Sequence, residues 1–390
     1  AYHSINTRYN VHFNAQEAYD EALRGKLEGT VDNLSDMLYI YPVEEEDEDN
    51  SMSAMSGSVQ SAASISATTP GAASGTYADD RNTTTSATSG TRSSTATMRE
   101  TPQPTSGAFG VTIDKTTKAI KEHSIKVKPK RDASKRGDKK YQAWIRQQEF
   151  NPFLKNTWML LGKAELQNGD YLRSAATFSY ISKIYSTNPE ILTECQLWIA
   201  RSYSEMGWFY EAENVLRKID QRGEVPDKLK GLYSSVYANL YTRLDNYEKS
   251  VPYLEDAIDK EKNKYQKMRM EYLLGQVYAK TGDYRKAYDA FDKIPGMSTP
   301  YRFEFNARLQ QMDLPGMNEN NKILSDLNKM TKRSKNKEYL DQIYAAIGKN
   351  YLQHQDTTKA IENYRKAIKE STRNGYDKAL AQSDLGAIFS

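Results

Sequence analysis

The sequence predicts an all-α fold, a solenoid of paired antiparallel helices, and three observations predict it. First, short turn signatures recur: Gly169-Asp170-Tyr171, Gly207-Trp208-Phe209, Asp245-Asn246-Tyr247 and Gly282-Asp283-Tyr284, at spacings of 38, 38 and 37 residues. Second, each signature lies between two stretches whose apolar residues recur at helical spacing. Third, small residues and large ones take fixed offsets around each turn, as two closely approaching helices require.

A helix–turn–helix unit repeated at about this length matches the tetratricopeptide repeat, whose period is about 34 residues. The reading is therefore a tetratricopeptide-repeat superhelical solenoid, with a long disordered insertion near its N-terminus. Residues 1–43 form an N-terminal helical segment, the first helix of the array. In it Asn14 is placed to cap a helix with Glu17 three residues on. Ala18, Leu23 and Leu27 fall on about one face, and Leu34, Met37, Leu38 and Ile40 continue an apolar pattern to Pro42. Residues 44–113 are the insertion. It opens with six acidic residues, 44–49, and Ser, Thr, Ala or Gly fill 40 of the 59 positions of 51–109. So little apolar surface does not offset the entropy of ordering the chain, which is why disorder is expected.

Residues 114–150 read as a helix, beginning at Asp114, followed by a basic linker. The linker carries Lys126, Lys128, Lys130, Arg131, Lys135, Arg136, Lys139 and Lys140. No aromatic residue interleaves 125–140, and stacking platforms for nucleic acid need them, so a solvated or protein-facing linker is favoured. Residues 151–390 form the array of about six repeats, cut short at its C-terminal end. Its copies carry Trp158, Leu161-Gly162 and Phe178; Ile199-Ala200, Tyr203 and Leu216; Tyr237-Ala238, Tyr241 and Leu254; Leu274-Gly275, Tyr278, Ala287 and Phe291. A later copy has Ile347-Gly348, Tyr351 and Tyr364, and its turn, Gln355-Asp356-Thr357, lacks Gly. A degenerate copy between them spans 301–312 and 318–330 with Pro315-Gly316 as its turn. Packing accounts for all these positions, since repeat signatures face the stacked core.

Composition narrows the functional classes. A net charge of +3 does not by itself call for a nucleic-acid partner. The 28 Tyr against 10 Phe suit a groove in which a ring packs and its hydroxyl stays wet. The lone Cys195 forms no internal disulfide and reads as a small core residue. The four His (3, 12, 123, 354) have no metal-ligand spacing, and nucleophile-elbow, P-loop and zinc-protease motifs are missing. No enzyme, metal or cofactor is expected. The start at Ala1 fits removal of a targeting segment.

In such a superhelix the first helices line the groove. One row on that face is Lys163, Arg201, Asn239, Gln276 and Lys349; the neighbouring row is Gln167, Glu205, Arg243, Lys280 and Gln353. Lys163, Arg201, Arg243, Lys280 and Lys349 form the candidate partner-binding groove, suited to an acidic segment or a C-terminal carboxylate. A solvated polar groove is the plainer explanation of the same charges.

Tyr2-His3, Arg8-Tyr9-Asn10, Phe13-Asn14-Ala15 and the run 17–23 resemble the opening of the PorW/SprE family. Ala119-Ile120, His123-Ser124, the run 158–164 and Gly169-Asp170-Tyr171 are similar to its continuation. These are tetratricopeptide lipoproteins of the type IX secretion and gliding apparatus of Bacteroidetes. The resemblance implies a lipidated cysteine upstream of Ala1 and a periplasmic protein attached to the outer membrane. It implies a structural role, linking the ring and motor components to the outer-membrane translocon through protein contacts, with no catalytic residue. It also implies a first helix pair, 14–29 with 115–124, from which the insertion loops out. The competing readings are a generic peptide-binding or chaperone-adaptor repeat protein and, behind it, a nucleic-acid binder using 126–140.

Overall fold

Helix follows helix along the chain, joined by tight turns, and no strand occurs among the described residues. The computed structural model describes residues 2–30, 32–34, 36–42, 104–223, 225–297, 300–316, 321–371 and 376–389. Residues 43–104 are set apart as a second unit, and 43–103, with the acidic run and most of the expected disordered tract, lie outside the described residues; the last part of that tract, 104–113, is described, and its end is helical rather than disordered. The helices belong to the first unit, residues 1–42 and 105–390.

The chain opens with α1 (Tyr2–Asn6), a π-helical turn (Thr7–Val11) and α2 (His12–Gly29), helical throughout. Asn14 is therefore not a cap. It lies inside the helix and donates to Asn10 Oδ1 at 3.1 Å, while Asn10 donates to Asn6 Oδ1 at 3.4 Å. This ladder of amides four residues apart supports the exposed face and carries the helix back past the expected start. Helix α3 (Gly110–His123) starts ahead of Asp114 because Phe109 and Ile113 are both buried against Ala15, Tyr19, Leu160 and Leu161. Thus α2 packs on α3, and both pack on the first repeat. His3 Nδ1 meets His123 Nδ1 at 3.1 Å, tying α1 to the end of α3.

After the short α4 (Lys139–Ile145) the array runs as pairs. These are α5 (Leu154–Gln167) with α6 (Tyr171–Ile184), and α7 (Pro189–Glu205) with α8 (Phe209–Asp220). Then come α9 (Lys230–Arg243) with α10 (Tyr247–Lys260), and α11 (Lys264–Lys280) with α12 (Tyr284–Lys293). The degenerate copy is α13 (Tyr301–Asp313) with α14 (Asn321–Thr331); α15 (Leu340–Gln353) with α16 (Thr357–Glu370) and the unpaired α17 (Tyr376–Phe389) end the array.

Two local devices build five of these pairs. The turn is closed by one bond reaching back five residues, from the amide of Asp170, Trp208, Asn246, Asp283 and Asp356 to the carbonyl of Glu165, Tyr203, Tyr241, Tyr278 and Tyr351, at 2.8–3.0 Å. That bond needs a left-handed residue just before it. Gly169, Gly207 and Gly282 supply it at φ of 85°, 75° and 82°, and Asp245 and Gln355 adopt it without being glycine, at 54° and 62°. The helices then approach through a compensated pair sixteen residues apart. A Cβ on Gly162 or Gly275 would lie 2.7 Å from the ring of Phe178 or Phe291, and one on Gly348 would lie 3.2 Å from Tyr364. Where the first member is Ala200 or Ala238, the second is the slimmer Leu216 or Leu254, and all four are buried. Glycine faces an aromatic ring and alanine faces leucine, so the volume between the helices is held nearly constant.

Cys195 is buried with its Sγ 3.9 Å from Met159 Sδ, and burial pushes its thiol up to about 12. It is a core residue held far from thiolate chemistry.

Candidate protein-interaction groove

The first-helix face is filled by the chain itself. Residues 32–34 and 36–41, which follow α2, lie against α7, α9, α11 and α13 as a looped plug. The plug turns at Asn33, whose carbonyl accepts the Asp36 amide, and lays both legs along α11. Arg269, 2% exposed, holds the Asp32 carboxylate with two bonds, Nε to Oδ2 at 2.7 Å and Nη2 to Oδ1 at 2.6 Å, and donates to the Ile40 carbonyl at 3.2 Å. Tyr272 donates to the Leu34 carbonyl at 2.9 Å. The Gln276 amide reads the main chain in both directions, donating to Asp36 O at 2.7 Å and accepting from Leu38 N at 3.0 Å. Gln266 donates to Ile40 O. Leu34, Leu38 and Ile40 are buried in the same cluster as Met268, Tyr272, Leu273 and Phe303. A charge-assisted bidentate pair and side-chain bonds to peptide groups are the means by which a groove holds polypeptide.

The expected groove residues take different places around this plug. Arg201, 6% exposed, lies with its guanidinium carbon 3.3 Å from the Tyr41 ring centroid. The Arg243 guanidinium is 4.7 Å from the Tyr39 centroid and pairs with Glu205. Asn239, next after Arg201 in its row, is 1% exposed, with Nδ2 3.4 Å from Glu205 Oε1. Lys163 pairs with Glu194 at 3.3 Å and sits 5.1 Å from the Trp198 ring centroid. Lys349 pairs with Asp313 at 2.9 Å, Gln353 lies 3.5 Å from the same carboxylate, and Lys280 is exposed. The structure therefore gathers Arg201, Arg243, Asn239, Glu205 and Gln276 under the plug. Lys163 and Lys349 have local acidic partners instead.

The two ends of the seat differ in how completely they are satisfied. At the α11 end the plug supplies a partner to Arg269, Tyr272, Gln276 and Gln266. At the α7–α9 end Arg201 Nε, Arg243 Nε and Trp198 Nε1 are buried donors with no acceptor, and Asn239 Oδ1 has no donor. A guanidinium on a desolvated ring is worth about 2 kcal/mol. It gives Nε no acceptor, however, and a buried polar group left unpaired costs about 1–3 kcal/mol. Burial raises the Tyr41 hydroxyl above its ordinary pKa, against the opposing pull of Arg201, so the ring covers the arginine as a neutral group. Beside the plug's root a cavity of about 470 Å³ opens between Arg24, Leu27, Asp32, Tyr265, Arg302 and Phe303.

Sequence reasoning did not anticipate the plug or its grip by Arg269, Gln266 and Tyr272. One signal was present. Every residue from Met268 to Tyr278 on α11 is buried, and five of those eleven are Met, Leu or Val. A helix with no solvated face is covered on both sides.

Among the described residues no group of His, Cys, Asp and Glu is placed to hold a metal ion, and no helix is long and apolar enough to cross a membrane. The basic residues of 126–140 are all exposed.

Comparison with known proteins bears on the array. The SusR N-terminal tetratricopeptide domain matches residues 181–292, from α6 to α12, and a tetratricopeptide repeat matches residues 341–373, which hold α15 and α16. No curated protein matches. Among solved structures the chain is similar to a tetratricopeptide repeat protein from Parabacteroides merdae ATCC 43184, at 15% identity over 72% of this chain and 91% of that one, with a TM-score of 0.33. It is also similar to the tetratricopeptide domain of P58(IPK), at 11% identity over 71% and 74%, with a TM-score of 0.24. Scores of this size add nothing to the fold read from the chain's own geometry. The chain is a solenoid with tetratricopeptide-type repeats.

Proposed function

We propose that this protein is a non-enzymatic scaffold that holds other proteins on its first-helix face. The observation that supports this reading is the grip of Gln276, Tyr272 and Gln266 on main-chain groups of the plug, since a surface that reads peptide groups is suited to polypeptide. The motifs from Tyr2 to Leu23 and from Ala119 to Tyr171 support a finer placement. In it the protein is a lipoprotein of the type IX secretion and gliding machinery, periplasmic and attached to the outer membrane. There it links ring and motor components to the translocon. The gripping groove equally supports a generic peptide-binding adaptor.

Deletion of the gene in its native host separates the two. Cargo bearing the type IX C-terminal signal should accumulate in the periplasm and return to the culture fluid when the intact gene is restored. Unchanged export and surface motility sink the secretion role and leave the adaptor.

A further inference from the structure

The plug is two parts with different chemistry. Its root and tip are an anchor, held by Arg269, Tyr272 and Gln276 with each of their polar contacts answered. The rings of Tyr39 and Tyr41, on either side of the anchored Ile40, are a cover. Tyr39 and Tyr41 lay rings over Arg243 and Arg201, and the Nε donors of both arginines face no acceptor. A ligand native to that end would bring oxygens. The one carboxylate that pairs with Arg243, Glu205, also accepts from Asn239. Arg201 has no ion pair among the described residues, and it is nine-tenths buried. Two guanidiniums, set in a first-helix face that already accommodates an extended main chain, match a segment that carries carboxylates and lies extended.

We propose that the side chains of Tyr39 and Tyr41 are a displaceable cover, and that the seat beneath them on α7 and α9 binds an acidic, extended segment of a partner protein. The inference rests on reading this face as a protein-binding surface, and it names the class of partner. The segment's carboxylates take the donors on Arg201 and Arg243 that the tyrosine rings leave unanswered, while the anchor on α11 stays in place. Binding at this seat is thus an exchange. The cover lowers the apparent affinity by the fraction of time it is seated, and its removal raises it.

The test uses the full chain and fluorescence anisotropy. The probe is a fluorescein-labelled peptide of alternating glutamate and tyrosine, with the lysine–tyrosine peptide as control. Wild type should bind the acidic probe weakly. Tyr39→Ala with Tyr41→Ala should bind it at least about tenfold more tightly, the size of effect that uncovering a close charge pair produces. Adding Arg201→Gln and Arg243→Gln should remove that gain, and the basic peptide should not bind. The proposal is overturned if the uncovered chain binds the acidic probe no better than wild type. It is also overturned if that chain takes both peptides alike, or keeps its gain without the two arginines. Thermal melts accompany each variant. Where the double variant is unfolded, Tyr39→Ala alone decides, because Tyr39 is 38% exposed and leaves Tyr41 seated; no gain in it overturns the proposal. The gene deletion reads independently. Lost export with no acidic-peptide binding spares the secretion role and sinks the cover, whereas intact export with acidic-peptide binding spares the cover and sinks the secretion role.

Discussion

The helix-pair core and the plugged groove of this molecule are held by opposite kinds of contact. In the core each decisive pair is local. Gly162 meets Phe178, Ala200 meets Leu216, Ala238 meets Leu254, Gly275 meets Phe291 and Gly348 meets Tyr364, always sixteen residues apart. In the groove the decisive pair is Arg269 with Asp32, 237 residues apart, and the bonds of Gln276 span 238 and 240. Local contacts repeat and tolerate exchange of large for small within one unit. The distant contact occurs at one repeat, joins an unrepeated segment to it, and has no spare copy.

The largest effect should come from breaking that distant contact. Arg269→Ala leaves the Asp32 carboxylate buried without its partner, and Asp32→Ala leaves the guanidinium. Each should lower stability in urea by about 3–5 kcal/mol, the usual result of removing half of a buried pair. The double substitution should cost clearly less than the sum. If either single change is worth less than about 1 kcal/mol, the plug is a surface decoration and the contrast between groove and core collapses.

That contrast also explains what the sequence disclosed. The turns, the helix pairs and the degenerate copy at 301–330 were legible because their signals recur at a fixed period and depend on near neighbours. Counting from the turns picked out two rows that include Arg201, Gln276 and Arg243, which the plug contacts. Their occupant was not legible. Leu34, Leu38 and Ile40 register as an apolar run, but nothing in a run of that length says which of several first helices it covers. The compensation of Gly by a ring and Ala by Leu lay open in the sequence at sixteen-residue spacing, and only the close approach of Gly162 to Phe178 gave it meaning.

A second test lies at the boundary between the two regimes, where a charged group sits inside a local pair. Glu165 on α5 is 3% exposed, accepts from Thr177 at 2.6 Å, and lies 3.8 Å from Arg173. Burial raises its carboxyl from 4.5 to about 7. The folded chain therefore holds this proton over a window in which the unfolded chain has lost it. From this group alone, stability should fall as pH rises from about 4.5 to about 7 and stay lower above it. Glu165→Gln keeps an acceptor for Thr177 and does not titrate. It should match wild type near pH 5 and exceed it at pH 8 by on the order of 3 kcal/mol, read from urea midpoints. A constant difference across that range means the carboxyl is not held protonated.

The compensated pairs give a smaller effect and a sharper one. Gly275→Ala drives a methyl toward the Phe291 ring and should cost about 1–3 kcal/mol by overpacking. Phe291→Leu alone opens a void. Together they recreate the Ala200–Leu216 pair found two repeats earlier, so the double variant should regain much of the loss. A double variant no better than the worse single one means that each repeat is shaped by its neighbours rather than by its own pair.

The smallest effect separates backbone from packing. At five turns the same bond reaches back five residues, yet the residue that enables it is glycine at three and Asp245 or Gln355 at two. A side chain at φ of 62° crowds the following carbonyl, which glycine does not. Against this, glycine costs more entropy on folding, so part of the relief is given back. For Gln355→Gly the relief should win, with a gain of about 0.5–1 kcal/mol in the urea midpoint of the last pair. The Gln355 side chain makes no hydrogen bond to lose among the described residues, whereas Asp245 accepts from Tyr247 at 2.6 Å, so Asp245→Gly should gain less or nothing. Equal gains at both turns mean that the Tyr247 contact contributes no stability, and that backbone conformation alone sets the worth of a turn residue in this array.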